Sequence, residues 1–220
     1  MHGLINRTIQ CFVRDTYGRD TWLAVAQRAD LGHTEFEAML IYPDEVTPHL
    51  LASAGQHLGK DVETLLEDIG TYLVSNPNVE ALRRLLRFGG VTFVEFLHSL
   101  DDLPDRARLA VSDLDLPVLE LDEHSAGHFN LRCLSRHAGF GHMLMGVLRA
   151  MADDYGALVF LEHKGGRPGE EIIDITLVET AYAEGRSFDL GGSAVGERAP
   201  AGHSDANAAQ GAAPGHQKAS

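Results

Sequence analysis

Residues Val118 to Glu179 read VLELDEHSAGHFNLRCLSRHAGFGHMLMGVLRAMADDYGALVFLEHKGGRPGEEIIDITLVE, and their changing period decides the fold. Val118–Leu121 and Phe129–Leu134 alternate apolar and polar residues on either side of a turn at Gly127, which predicts a hairpin. Phe140–Tyr155 then carries Met143, Leu144, Val147, Leu148 and Met151 at three- and four-residue spacing, the stripe of an amphipathic helix. Ala157–His163 and Glu171–Glu179 flank Lys164-Gly165-Gly166-Arg167-Pro168-Gly169 and read as a second strand pair. Strands joined by tight turns pair antiparallel, so the order strand, strand, helix, strand, strand implies a four-stranded antiparallel sheet with one inserted helix. With what precedes it, this makes an α+β class.

Upstream of this block the period is helical. Leu4, Ile5, Thr8, Ile9, Phe12 and Val13 share one stripe of Gly3–Tyr17. Thr21–Ala29 follows a turn at Gly18, and Val46–Leu58 follows the turn Tyr42-Pro43-Asp44. Asp61 stands at the N-cap of a helix with Val62, Leu65, Leu66, Ile69 and Leu73 inward, though no Glu or Gln completes a capping box. Asn78–Phe88 is a further helix ended by Gly89-Gly90. Phe93–Leu103 is the next, with Phe93, Phe96, Leu97 and Leu100 inward. Asp101-Asp102 ahead of Pro104 reads as a cap or turn from which Asp105–Val111 restarts.

The composition breaks once, near Ala183. Residues 183–220 are rich in Gly, Ala and Ser, and no bulky apolar residue follows Val195. Such a segment buries too little surface to offset its ordering entropy, so a folded part of residues 1–182 and a disordered tail are expected. Lys and Arg number 18 against 32 Asp and Glu, a formal charge of −14. That balance disfavours sequence-independent nucleic-acid binding and docking on an anionic membrane. Two cysteines, Cys11 and Cys133, supply neither a disulfide framework nor a four-cysteine zinc site. There is no secretory leader and no apolar run of about 20 residues, so a cytoplasmic protein is expected. No nucleophile elbow, phosphate-cradling loop or metalloprotease helix is present, and no enzyme is expected.

The opening MHGLINRTIQCFVRDTYG with Thr21-Trp22, the pair Tyr42-Pro43, the stretch FVEFLHSLDDL at 93–103 and the hairpin after Pro117 together resemble the haem nitric-oxide/oxygen-binding (H-NOX) family, the sensor module also found in soluble guanylate cyclases. The resemblance covers nearly all of residues 1–180. It implies a helical first half before the sheet, haem as the cofactor, and output through a partner such as a histidine kinase or a cyclic-nucleotide enzyme, since a stand-alone domain of the bacterial type carries no output domain.

Three devices hold haem in that family, and the resemblance places each on numbered residues. The axial histidine directly follows the last Leu of the 93–103 pattern. Here that Leu is Leu103, and the next residue is Pro104, which has no lone pair to give to iron. His98 lies six residues earlier, about 240° round and about 9 Å along a helix. Pro117 matches the haem-distorting proline. The Tyr-x-Ser-x-Arg motif that pairs with propionates falls on Cys133, Ser135 and His137, so only the serine is kept. Arg136 sits one position off. The distal pocket falls on Ile5, Ile9 and His142, where His142 is a donor or metal-ligand candidate and the competing reading is an ordinary helix histidine. The 12 histidines show no paired spacing that would make a metal site by itself. Two functions stay open: a haem-based gas sensor with impaired ligation, and a haem-free interaction or small-ligand module on the same fold.

Overall fold

The computed structural model of the chain describes residues 1–188. The reading of a disordered tail falls, from residue 189 onward, outside the described residues. The compact unit runs from Met1 to Phe188, past the boundary expected at residue 182.

Four helices build the first lobe: α1 (Gly3–Tyr17), α2 (Arg19–Arg28), α3 (Val46–Leu58) and α4 (Val62–Ser75). The apolar stripe of α1 places Ile9, Phe12 and Val13 against Trp22 and Val25 of α2, Leu50 and Ala54 of α3, and Leu65 and Ile69 of α4. Each such side chain, once fully buried, contributes about 1.5–3 kcal/mol. The Asp61 carboxylate accepts from the Thr64 backbone N–H at 2.6 Å, so the expected N-cap of α4 is formed. A 3₁₀ turn, Pro77–Val79, precedes α5 (Glu80–Arg87). The helix expected over Asn78–Phe88 therefore starts later, because the Asn76 side chain caps the tight turn that Pro77 begins.

The single helix expected over Phe93–Leu103 is divided. α6 (Phe93–His98) opens on a full capping box between Thr92 and Glu95. It stops where the Ser99 hydroxyl donates to the Phe96 carbonyl at 2.7 Å. The chain restarts as α7 (Leu103–Ala110), with Pro104 in its first turn. A proline there costs no hydrogen bond, since the first amides of a helix have no helical partner, whereas mid-helix it would break the ladder. Arg106 spans the break by donating to the Ser99 carbonyl at 2.9 Å.

The sheet is as the sequence implies: β1 (Val118–Ser125), β2 (His128–Leu134), β3 (Leu158–Gly165) and β4 (Glu170–Glu179) in the order β1-β2-β4-β3, with every neighbour antiparallel. Phe129, Leu131 and Cys133 of β2, with Ile173 and Ile175 of β4, are buried on the face that packs with α8 (Phe140–Tyr155). On the opposite face Arg132 bridges Glu120 (2.7 Å) and Glu170 (3.0 Å). α8 packs against the sheet on one side and α4 on the other. Two glycines, Gly70 of α4 and Gly146 of α8, let those helices touch backbone to backbone. After β4 the chain returns across the end of α8: the Tyr182 and Ala183 amides donate to the Gly156 carbonyl, and Arg186 N–H to the Asp154 carbonyl at 2.9 Å.

Candidate functional site

The helical lobe and the sheet-bearing half do not close completely on one another. Between them lies a cavity of about 240 Å³. α1 supplies Leu4, Ile5, Thr8 and Ile9 to its wall, α4 supplies Leu66, Ile69 and Leu73, and α5 supplies Leu82, Leu85 and Leu86. Leu103, Pro104 and Ala107 come from α7, Met143, Leu144 and Val147 from α8. Leu114, Leu116 and Pro117 cross one end, and the loop 137–139 crosses the other. The cavity is a consequence of the α1 stripe being longer than the core it meets. Ile9, Phe12 and Val13 reach packed neighbours and are buried, whereas Leu4, Ile5 and Thr8 continue the same face over the void and are only partly covered.

The wall is almost wholly apolar, and its polar groups are nearly all spoken for. The Thr8 hydroxyl donates to the Leu4 carbonyl (2.9 Å) and the Thr47 hydroxyl to Asn6 Oδ1 (2.6 Å). The Met1 ammonium donates to the Tyr42 carbonyl (2.8 Å) and to Asp44 (2.5 Å), and these interactions hold the Asp44 carboxyl below the usual carboxylate range. The exception is His137, whose Nε2 is shielded from solvent and has no hydrogen-bond partner. Its loop is fixed from behind. The His137 N–H donates to Ser135 Oγ (3.1 Å), and the Ser135 N–H donates to the Gly169 carbonyl (3.0 Å).

The structure thus brings Ile5, Ile9, Pro104, Pro117 and His137 onto one cavity wall. Cys133 and Ser135 stand elsewhere. Cys133 is buried on the core face of β2, where desolvation, with a smaller contribution from Glu171, pushes its thiol up to about 12. Ser135 serves the loop. His142 does not line this cavity. One residue is about 100° of helix, and since Met143, Leu144 and Val147 face the cavity, position 142 does not. Its ring stacks on His163 at 4.1 Å, with Nδ1 3.7 Å from the Glu67 carboxylate. His98 is half exposed on the outer surface, 3.4 Å from Glu123, and Arg136 is paired with Asp115 at 2.7 Å.

Two positioning residues escape the sequence reading. Glu171 accepts from the backbone N–H groups of Gly139 (2.7 Å) and Gly141 (2.9 Å), so a carboxylate clamps the start of α8, where it also meets the positive end of the helix dipole. Gly139 itself lines the cavity at φ 97°, a conformation a side chain would strain. Glu171 is 32 and 30 residues from its partners, a spacing that carries no local signal.

A helical lobe set against an antiparallel sheet, with an apolar cavity at their junction, is the frame of the site. The profile of the Haem-NO-binding family matches residues 2–163, and the chain belongs to that family. It is 23% identical over 158 residues to soluble guanylate cyclase 89Db of Drosophila melanogaster, covering 72% of this chain and 24% of that one. It is 25% identical over 154 residues to soluble guanylate cyclase gcy-31 of Caenorhabditis elegans, covering 70% and 22%. The chain therefore spans about a quarter of the length of these curated relatives. Among solved structures it resembles the Fe(II) unliganded H-NOX protein from K. algicida, with a TM-score of 0.71 at 16% identity, covering 84% of this chain and 100% of that one. It also resembles the Fe(II)NO H-NOX protein from S. oneidensis, with a TM-score of 0.67 at 15% identity, covering 80% and 99%.

The wall fits the family's haem poorly. Pro104, buried on the α7 side, offers iron no donor.

Proposed function

We propose that this chain is a sensory domain of the Haem-NO-binding family in which the family's axial iron bond is lost, and that it passes its state to a separate signalling partner. The observation that carries the reading is Pro104 in the cavity wall, at the position where the resemblance places the axial histidine. His137 in place of the propionate-pairing arginine supports it. An arginine forks onto a carboxylate with two parallel, permanently charged hydrogen bonds, and one imidazole nitrogen does not replace that. Losing the axial bond from position 104 and the Arg–propionate pairing together removes most of the directional affinity for a porphyrin and leaves apolar burial with one imidazole at the wall.

The relatives are cyclases that continue well beyond the matched region, which supports an output in cyclic-nucleotide or histidine-kinase signalling through another protein. No helix among the described residues is long and apolar enough to cross a membrane, in keeping with a cytoplasmic place of action. The domain itself does no chemistry in this reading.

The test is the visible spectrum of the protein expressed with ample haem. The expected result is no stoichiometric Soret band, and a strong band at near-equimolar haem would overturn the proposal. The paired substitution Pro104→His with His137→Arg restores a donor and an anchor at the two positions. It should raise haem content, and an unchanged spectrum would count against the placement of the site.

A further inference from the structure

We infer that the cavity between α1, α4, α7 and α8 binds a small neutral amphiphile, with an apolar body and a single hydroxyl-type oxygen that hydrogen-bonds to Nε2 of His137. The inference rests on the reading that haem does not fill this space, and it deepens that reading by naming a ligand class.

The argument is one of unmet demand. A buried polar nitrogen without a partner is costly, and such groups in folded proteins usually find a partner in protein, water or ligand. His137 lines the cavity, and its Nε2 is shielded and has none. No polar group of the wall stands within hydrogen-bond distance of it, and the Thr8, Thr47 and Met1 donors turn to Leu4, Asn6, Tyr42 and Asp44. A water in that space would find too few of the two to four partners that hold buried waters in place. An apolar void with one unsatisfied nitrogen therefore matches a molecule that is apolar except at one end.

The same inventory selects the head group. A carboxylate buried here would gain one hydrogen bond for the loss of its full hydration, and among the described residues no Lys or Arg lines the space. The Met1 ammonium is paired with Asp44 and the Arg136 guanidinium with Asp115. A hydroxyl loses far less on burial, and it both donates and accepts, so it satisfies Nε2 in either tautomer of the ring. Size sets the body. At about 240 Å³ the cavity takes roughly ten non-hydrogen atoms on the scale of known apolar cavities, which is the size of 1-octanol.

The experiment uses the full chain carrying 13C-methyl methionine, titrated with 1-octanol, sodium octanoate and n-octane. Met143 reports on the cavity wall and Met39, which is exposed, is the reference. 1-Octanol should shift the Met143 methyl resonance, leave Met39 in place and raise the melting temperature. Octanoate should bind more weakly than 1-octanol. His137→Leu should weaken 1-octanol about tenfold, the size of one hydrogen bond, and leave n-octane unchanged. Ala107→Leu fills part of the void from α7 and should weaken both. The proposal is overturned if Met143 does not respond at saturating 1-octanol, if octanoate binds better, or if His137→Leu binds 1-octanol as the parent does. The visible spectrum of the same sample separates the two readings. A stoichiometric Soret band defeats the haem-free premise, whereas a colourless protein that ignores 1-octanol defeats the ligand class alone.

Discussion

Replacing Gly146 by alanine should destabilise the fold by about 2 kcal/mol, and the reason lies in how α4 and α8 meet. A Cβ at position 146 would sit 2.8 Å from the carbonyl carbon of Glu67 and 2.8 Å from the Thr71 nitrogen, and nearer still to the Glu67 carbonyl oxygen. Carbon atoms in contact prefer about 3.5–4.0 Å, so the two helices must part by roughly an ångström. The obstacle is backbone on a regular helix, so no rotamer change relieves it. Overpacking of this kind costs about 3 kcal/mol at the upper end of its usual range. Alanine returns about 1 kcal/mol through its better helix propensity. The net of about 2 kcal/mol corresponds to a melting temperature lower by roughly 4–8 °C in a domain of this size. Gly70→Ala meets the Val147 nitrogen at 2.9 Å and the Met143 carbonyl carbon at 3.0 Å, and should behave alike. The double substitution should cost less than the sum, since one separation of the helices accommodates both. Thermal and urea unfolding followed by circular dichroism gives the comparison, with Gly146→Ser as a larger side chain that should be worse. A Gly146→Ala protein as stable as the parent would refute the crossing. The effect reaches the cavity, whose walls include Leu66 and Ile69 of α4 and Met143 and Val147 of α8.

Other perturbations probe parts of the fold remote from that crossing. Asp154 is fully buried, 2.8 Å from Arg83 and 3.7 Å from Arg87, so Asp154→Ala should cost about 3–5 kcal/mol in urea unfolding by leaving two guanidinium groups without their counter-charge. The same change removes a carboxylate near Arg186, and limited proteolysis should then cut within 184–188 faster than in the parent. Burial raises the Asp15 carboxyl, but hydrogen bonds from Asn78, Tyr72 and Arg14 outweigh it and hold it below the ordinary range. Its stabilising contribution is therefore complete above the unfolded value of about 3.9 and is lost as pH falls through the lower folded value. Asp15→Asn should flatten the fall in unfolding free energy below about pH 4, and an unaltered pH profile would exclude the role. Thr92→Ala removes one half of the capping box on α6 and should cost about 1 kcal/mol by denaturant titration.

The parts of this fold that were legible in the sequence are those written in local period. The 3.6-residue stripe of α1 and of α8, the alternation of β1 and β2, and the turn at Gly127 each follow from neighbours in the chain, and Gly3–Tyr17, Val46–Leu58 and Phe140–Tyr155 form with the expected bounds. What the sequence hid depends on contacts between distant segments. Gly70 and Gly146 look like weak points in helices until the helices are seen to cross there. Glu171 looks like one more charge at a strand start until its carboxylate is found on the amides of Gly139 and Gly141. The packing of residues 183–188 was masked by composition, because the segment is held by the Gly156 and Asp154 carbonyls rather than by apolar burial of its own. Within the site, Pro104 and His137 could be placed by matching motifs, but the position of His142 required knowing which face of α8 meets the cavity.

Under the proposed function, the position of Pro104 accounts for an architecture kept without the axial bond. Had the 93–103 helix continued through residue 104, a proline there would have removed a ladder hydrogen bond and cost about 3 kcal/mol. Instead the chain ends α6 at His98, uses the Ser99 hydroxyl and Arg106 to satisfy the carbonyls at the break, and begins α7 with the proline where no amide is needed. The substitution is thereby absorbed within one turn. The interactions that hold the two lobes together, chiefly the α4–α8 crossing and the packing of α8 on β3 and β4, lie on other surfaces. Under that proposal stability and iron coordination are separable properties of this fold. On that argument Pro104→His alone should leave the melting temperature within a few degrees of the parent, because it changes one buried side chain in the first turn of a short helix. A collapse of the fold in that variant would mean that the proline, and not the α4–α8 contact, anchors the proximal wall.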